Sequence, residues 1–165
     1  MAKCESRIED DYTWYFAYGS NLSKRRVEQR TGSVPLARTV RLNDYRLAFN
    51  LHADGAIYAN IMPCQRSIVW GAAYWCSREM MDAFDRYEGV AHGCYRRLCV
   101  EVETGIDEKL QAQTYIGGSD FVADEGRPSE YYLQLIVTGA AEHSLPEEYV
   151  RFVAAYGTSA GMEKD

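Results

Sequence analysis

Several kinds of chemistry can be set aside from what this chain lacks. Its five cysteines, Cys4, Cys64, Cys76, Cys94 and Cys99, are odd in number and contain no C-x-x-C pair, so neither a disulfide framework nor a zinc site is expected. The three histidines, His52, His92 and His143, show no H-x-x-x-H or comparable ligand spacing, and no bound metal is expected. Gly19 and Gly32 do not make a dinucleotide fingerprint, and no G-x-x-x-x-G-K-[ST] run occurs. No stretch of about 18 consecutive apolar residues is present, and Met1 to Asp11 is charged rather than apolar, so no membrane partner and no export are expected. A reducing cytoplasm fits the cysteine usage best. Positive charge is also short: 18 Lys and Arg against 24 Asp and Glu give a net charge of −6, which argues against nucleic acid as a partner. The short basic runs Lys24-Arg25-Arg26 and Arg96-Arg97 read as solvated faces.

What the chain does have is apolar bulk and tyrosine. At 165 residues and 47% hydrophobic content it fits one globular domain over residues 12–157, between a flexible arm at 1–11 and a flexible tail at 158–165. Thirteen tyrosines and three tryptophans supply amphipathic rings, which furnish half-exposed strands and also line small-molecule pockets.

The most telling stretch is Tyr15-Phe16-Ala17-Tyr18-Gly19-Ser20-Asn21-Leu22, where strand-forming residues run directly into a turn sequence. A strand over Trp14 to Tyr18 and a helix over Leu22 to Arg30, with Asn21 as its N-cap and Gly32 as its stop, are expected around it. Unpaired N–H groups at such a junction suit an anion. Asn43-Asp44 joins two short strand segments as a hairpin or a bent strand, Ala56 to Met62 is a further strand, Pro63 to Ser67 another turn, and Ile68 to Cys76 a central strand buried on both faces. Ser77 is a good N-cap for a helix over 78–88 that Gly89 ends. Tyr95 to Val102 and Leu110 to Ile116 alternate and read as a hairpin. Helices follow Pro128-Ser129 and Pro146, the last one up to Gly157. The pattern is α+β: a small barrel-like mixed sheet flanked by helices.

Glu88 stands out among the acids. In the last turn of its helix it faces the negative end of the helix dipole, and apolar neighbours Phe84, Tyr87 and Val90 add desolvation, both of which raise a carboxyl pKa toward neutrality. An alternative nucleophile, Cys94 near His92, has neither an oxyanion nest nor an orienting acid beside it in sequence.

Three motifs then agree. The run Tyr15 to Leu22 resembles the substrate loop of the γ-glutamylcyclotransferases. Tyr87-Glu88-Gly89-Val90, continuing to Gly93 and Tyr95, resembles the family stretch that carries a catalytic glutamate. Pro128-Ser129-x-x-Tyr132, with Ile136, Gly139-Ala140, Leu145-Pro146 and Glu148-Tyr149, resembles its C-terminal helix-loop-helix pattern. The resemblance implies a small β-barrel-like fold and cofactor-independent release of 5-oxoproline from γ-glutamyl amino acids. It implies Glu88 as general acid/base and Tyr15, Phe16, Ala17, Tyr18, Gly19, Ser20, Asn21 and Tyr132 as substrate-binding residues. It also implies a homodimer. Related subfamilies acting on glutathione or on γ-glutamylamines typically have other residues where this chain has Ser20-Asn21-Leu22, which favours the amino-acid branch over a sister enzyme acting on glutathione, a γ-glutamylamine or a γ-glutamyl-capped metabolite. A protein that only binds such a metabolite is the remaining alternative.

Overall fold

The computed structural model describes residues 11–161, and side chains as far as residue 157. Apart from Asp11, the expected N-terminal arm lies outside the described residues, as do residues 162–165 of the expected tail. Five strands make a closed barrel in the order β1-β3-β2-β4-β5. They are β1 (Tyr12–Ala17), β2 (Ala37–Ala53), β3 (Ala56–Ser77), β4 (Tyr95–Thr104) and β5 (Lys109–Gly117). Neighbours pair antiparallel except β1 and β5, whose parallel pairing of Trp14 with Ala112 and Tyr15 with Gln113 closes the barrel. Four helices flank it: α1 (Lys24–Thr31), α2 (Arg78–Tyr87), α3 (Glu130–Glu142) and α4 (Glu147–Gly161). The α+β barrel expected from the residues is the fold observed.

Of the hairpin or bent strand expected at Asn43-Asp44 the structure has the bent strand, and Pro63 to Ser67, expected as a turn, does not end a strand. β2 and β3 run 17 and 22 residues and meet at the tight turn Asp54-Gly55, where both residues have positive φ. Turn chemistry at Asn43-Asp44 and Pro63 to Ser67 is instead spent on one bulge shared by the two strands. Register passes from Asn43–Ile68 to Tyr45–Pro63, Asp44 and Arg66 have positive φ, and the Arg66 N–H donates to the Asp44 carboxylate at 3.0 Å. Such a bulge bends a strand without breaking its pairing, which lets a few long strands close a barrel.

Helix starts follow local capping. Ser23, not Asn21, caps α1, with its Oγ accepting from Arg26 N; Ser77 and Ser129 cap α2 and α3 in the same way. Gly32 stops α1 in the left-handed conformation. Gly157 does not stop α4, which continues to Gly161, so residues 158–161 are helical rather than part of a loose tail. Cys99 is disulfide-bonded, against the expectation from the cysteine count, while Cys64, Cys76 and Cys94 are free. No described helix is long and apolar enough to cross a membrane.

The core fills the barrel and continues under α2 and α3. Phe16, Phe49, Leu51, Ile61 and Tyr74 are fully buried, and Phe84 of α2 and Ile136 of α3 belong to the same core. Helix α3 lies directly on the loop that follows β1. A Cβ at Gly139 would stand 2.3 Å from Leu22 C and 2.5 Å from Ser23 N, so only glycine allows that approach.

Candidate active site

A cavity of about 400 Å³ opens where the C-terminal end of β1, the C-terminal end of α2 and the start of α3 converge. After Ala17 the chain leaves β1 through Tyr18 and Gly19 into a 3-10 turn (Ser20–Leu22) that is buried throughout. The N–H groups at the start of such a turn have no partner within it. The turn's far side is tied down: Tyr74 Oη lies 2.9 Å from Asn21 O and 2.8 Å from His143 Nε2. These contacts fix the backbone and leave the Asn21 side chain free to reach the cavity.

Glu88 comes from the opposite wall. It is the C-cap of α2, where its N–H donates to Phe84 O at 2.8 Å. Gly89 follows in the left-handed conformation at φ 65, and its would-be Cβ lies 3.0 Å from Cys94 Cβ, so glycine turns the chain away at once. Helix α2 is pinned beside the site by Asp85. Its carboxylate takes two hydrogen bonds from Arg97 at 2.8 and 2.7 Å and one from Tyr115 Oη at 2.6 Å. The fork geometry of the arginine makes this a directional anchor.

Two groups hold the Glu88 carboxylate, Asn21 of the loop and Arg30 of α1. Asn21 Nδ2 donates to Glu88 Oε1 at 3.0 Å and to Tyr15 Oη at 2.8 Å. Arg30 of α1 donates to Asn21 Oδ1 at 2.8 Å, lies 3.5 Å from Glu88 Oε1, and stacks its guanidinium 4.8 Å over the Tyr87 ring. The Glu88 side chain retains 15% exposure, so it is largely desolvated yet open to the cavity. Burial is the main force raising its pKa; Arg30, Asn21 and Arg26 pull the other way and Asp85 adds to the rise. The elevation expected from the sequence is present, and desolvation, one of the two causes expected, is its largest cause.

Tyr132, from the first turn of α3, lines the third side. Its hydroxyl accepts from Ala59 N at 3.1 Å, and Tyr95 Oη donates to Ala59 O at 2.5 Å, so the two tyrosines bracket one peptide of β3. Tyr18 Oη donates to Tyr115 O at 2.6 Å.

Of the expected substrate residues, Tyr15, Tyr18, Gly19, Ser20, Asn21 and Tyr132 line the cavity together with Glu88. Phe16 and Ala17 do not; they are buried in the core, and Phe16 O accepts from Thr114 Oγ1 at 2.8 Å. His92 and Cys94 also border the cavity, but burial, Glu88 and Asp54 raise the Cys94 pKa and hold it as a thiol. Arg26, read from sequence as part of a solvated basic run, lines the cavity with Arg30. Their spacing of four residues on one helix was the signal that would have placed both on one face.

The profile of the AIG2-like family matches residues 68–153. A gamma-glutamylcyclotransferase of Mus musculus is 31% identical over 155 residues, covering 88% of this chain and 80% of that protein. The chain belongs to the γ-glutamylcyclotransferases of the AIG2-like family. The Homo sapiens gamma-glutamylcyclotransferase is 30% identical over 142 residues, covering 82% of this chain and 73% of that protein. A solved gamma-glutamyl cyclotransferase structure superposes with a TM-score of 0.81 at 28% identity, covering 87% of each chain. A yeast cyclotransferase specific to glutathione shares the fold alone, with a TM-score of 0.64 at 13% identity over 91% of this chain and 97% of that one.

Proposed function

We propose that this family member is a γ-glutamylcyclotransferase that converts γ-glutamyl amino acids to 5-oxoproline and a free amino acid. The observation that carries the reading is Glu88, a desolvated carboxylate held by Asn21 at the wall of a cavity of about 400 Å³. The substrate brings its own nucleophile. The α-nitrogen of the γ-glutamyl group attacks the γ-carbonyl carbon, a C–N bond closes the five-membered ring, and the original amide C–N bond breaks. Two protons leave the α-ammonium nitrogen, one before attack and one as the ring closes, and Glu88 relays each in turn to the departing nitrogen, which leaves as an ammonium. Atoms and charge balance without water or a cofactor.

Positioning is the larger part of such an intramolecular reaction and supplies roughly 7–11 kcal/mol of barrier reduction when the reacting atoms are held in line. Tyr15, Tyr18 and Tyr132 give the cavity rigid walls, and the amides at the start of the 20–22 turn favour negative charge, that of a substrate carboxylate or of the attacked oxygen. A raised pKa suits Glu88 to both proton steps, since a carboxyl near its ordinary value of about 4.3 is a weak base and a poor carrier near neutrality.

The test is a panel of γ-glutamyl-alanine, glutathione and a γ-glutamylamine, assayed for 5-oxoproline with wild type and Glu88→Gln. Product from γ-glutamyl-alanine with the wild type and none with a folded Glu88→Gln is expected. Saturable binding without product would sink the enzymatic reading, and turnover of glutathione or the amine alone would move it to a sister activity. A homodimer belongs to the same reading through the family resemblance and a cytoplasmic setting through the cysteine usage of the sequence, and sedimentation equilibrium tests the first.

A further inference from the structure

Arg26 is a cation in the cavity wall that takes no step in the proton chemistry; Asp54, at the β2–β3 turn, is a second charged lining residue. Arg26 sits one turn before Arg30 on α1, and both line the cavity. Their situations differ. Arg30 is committed to Asn21, Glu88 and the Tyr87 ring. The Arg26 side chain makes no hydrogen bond or ion pair with any described residue, and its Nε is fully buried without a partner. A buried Nε–H without an acceptor is costly in the free protein, because it forgoes water and gains no partner. The acceptor whose planar geometry matches a guanidinium best is a carboxylate.

Charge in the cavity narrows which carboxylate. Glu88 is required next to the substrate ammonium, and the α-carboxylate of the γ-glutamyl group, bonded to the same carbon, is matched by the free amides at the start of the 20–22 turn. A γ-glutamyl amino acid has a second carboxylate, on the carbon attached to the departing nitrogen. A γ-glutamylamine has none. We propose that Arg26 binds the carboxylate of the leaving amino acid and so selects γ-glutamyl amino acids over γ-glutamylamines. This rests on the cyclotransferase reading and names its leaving group. The guanidinium supplies a partner only when the leaving group brings an anion, so Arg26 is a specificity residue and takes no part in bond making.

The experiment is a cycle that changes both partners: wild type and Arg26→Gln, each with γ-glutamyl-alanine and γ-glutamyl-alaninamide, followed by 5-oxoproline release. The wild type should prefer the free acid in kcat/KM by about tenfold or more, the range of a charge-assisted hydrogen bond, with most of the difference in KM. Arg26→Gln should lose that preference and turn the two substrates over with similar efficiency, and Arg26→Lys should restore part of it. Equal efficiency of the wild type on acid and amide overturns the proposal without any variant, so misfolding of Arg26→Gln does not protect it. A preference that survives in Arg26→Gln overturns it as well. Absence of 5-oxoproline from either substrate with wild type is a different result, which removes the cyclotransferase reading itself.

Discussion

Asn21 Nδ2 lies 3.0 Å from Glu88 Oε1, and this bond joins the loop after β1 to the end of α2 across the cavity. The same amide carries Tyr15 Oη at 2.8 Å, and its Oδ1 receives Arg30 at 2.8 Å. All the polar atoms of the Asn21 side chain are thus spent on aiming and charging one carboxylate.

Asn21→Ala should therefore act on the chemistry more than on binding. The bond it removes favours the ionised carboxylate, so the Glu88 pKa, already raised by burial, should rise further. The base form then appears only at higher pH, and the acid limb of the kcat profile should move up. A loss in kcat of about tenfold or more is expected from removing one hydrogen bond to a charged group. An acid limb that stays in place, or moves down, would contradict the role given to Asn21.

Stability should report the same carboxyl independently of turnover. Because burial raises its pKa in the folded state, the folded protein binds that proton more tightly than the unfolded chain does. Its contribution is fully present below the unfolded value of about 4.3 and is lost as pH rises through the higher folded value. Gln is neutral throughout. Thermal melts of Glu88→Gln and wild type should differ little at about pH 4, and the variant should gain on the wild type toward about pH 8. A gap in Tm that is constant with pH, or that favours the wild type increasingly as pH rises, would show that burial does not dominate at Glu88.

Tyr132→Phe removes the acceptor for the Ala59 N–H, whose residue is 2% exposed. Leaving that donor unpaired costs about 1–3 kcal/mol, and each kcal/mol lowers Tm by about 2–4 °C in a chain of this size. The hydroxyl proton, by contrast, faces a cavity in which a substrate oxygen is the natural acceptor, so KM should rise as well. A variant with lower Tm and unaltered KM would reduce Tyr132 to a structural post for β3.

The sequence showed different parts of this site with different clarity, for reasons that lie in range. The strand-to-turn switch at Tyr18-Gly19 and the glycine after Glu88 are local, and both were legible. The long β2 and β3 were not, because Asn43-Asp44 and Pro63 to Ser67 carry real turn chemistry that tertiary pairing turns into a bulge; only the partner strand decides between the two outcomes. Phe16 and Ala17 shared a motif with the cavity residues Tyr15 and Tyr18, which flank them at an odd and an even position, so alternation does not separate the pairs. Only the closed barrel, which the motif does not show, leaves Phe16 and Ala17 in the core. Arg26 was hidden by its neighbours: within Lys24-Arg25-Arg26 the helical phase separates an exposed Arg25 from a cavity-lining Arg26, and that phase depends on the cap being Ser23 rather than Asn21.

The contact between Gly139 and the loop offers the sharpest test that α3 shapes the site as well as covering it. A Cβ at Gly139 would meet Leu22 C at 2.3 Å, Ser23 N at 2.5 Å and Leu22 O at 2.6 Å, all backbone atoms that no rotamer change can clear. Either α3 must back away or the segment after the 20–22 turn must shift, and the second route moves Asn21 off Glu88. Gly139→Ala should therefore cost at least the roughly 1–3 kcal/mol of an overpacked site, a fall in Tm of about 2–4 °C per kcal/mol, together with a lower kcat through the displaced Asn21. Gly105→Ala is the matched control: its added Cβ meets nothing within 4 Å, and it should leave both quantities where they are. If Gly139→Ala lowered Tm while kcat held, α3 would have absorbed the strain alone, and the loop would owe its position to Tyr74 and His143 beneath it rather than to the helix above.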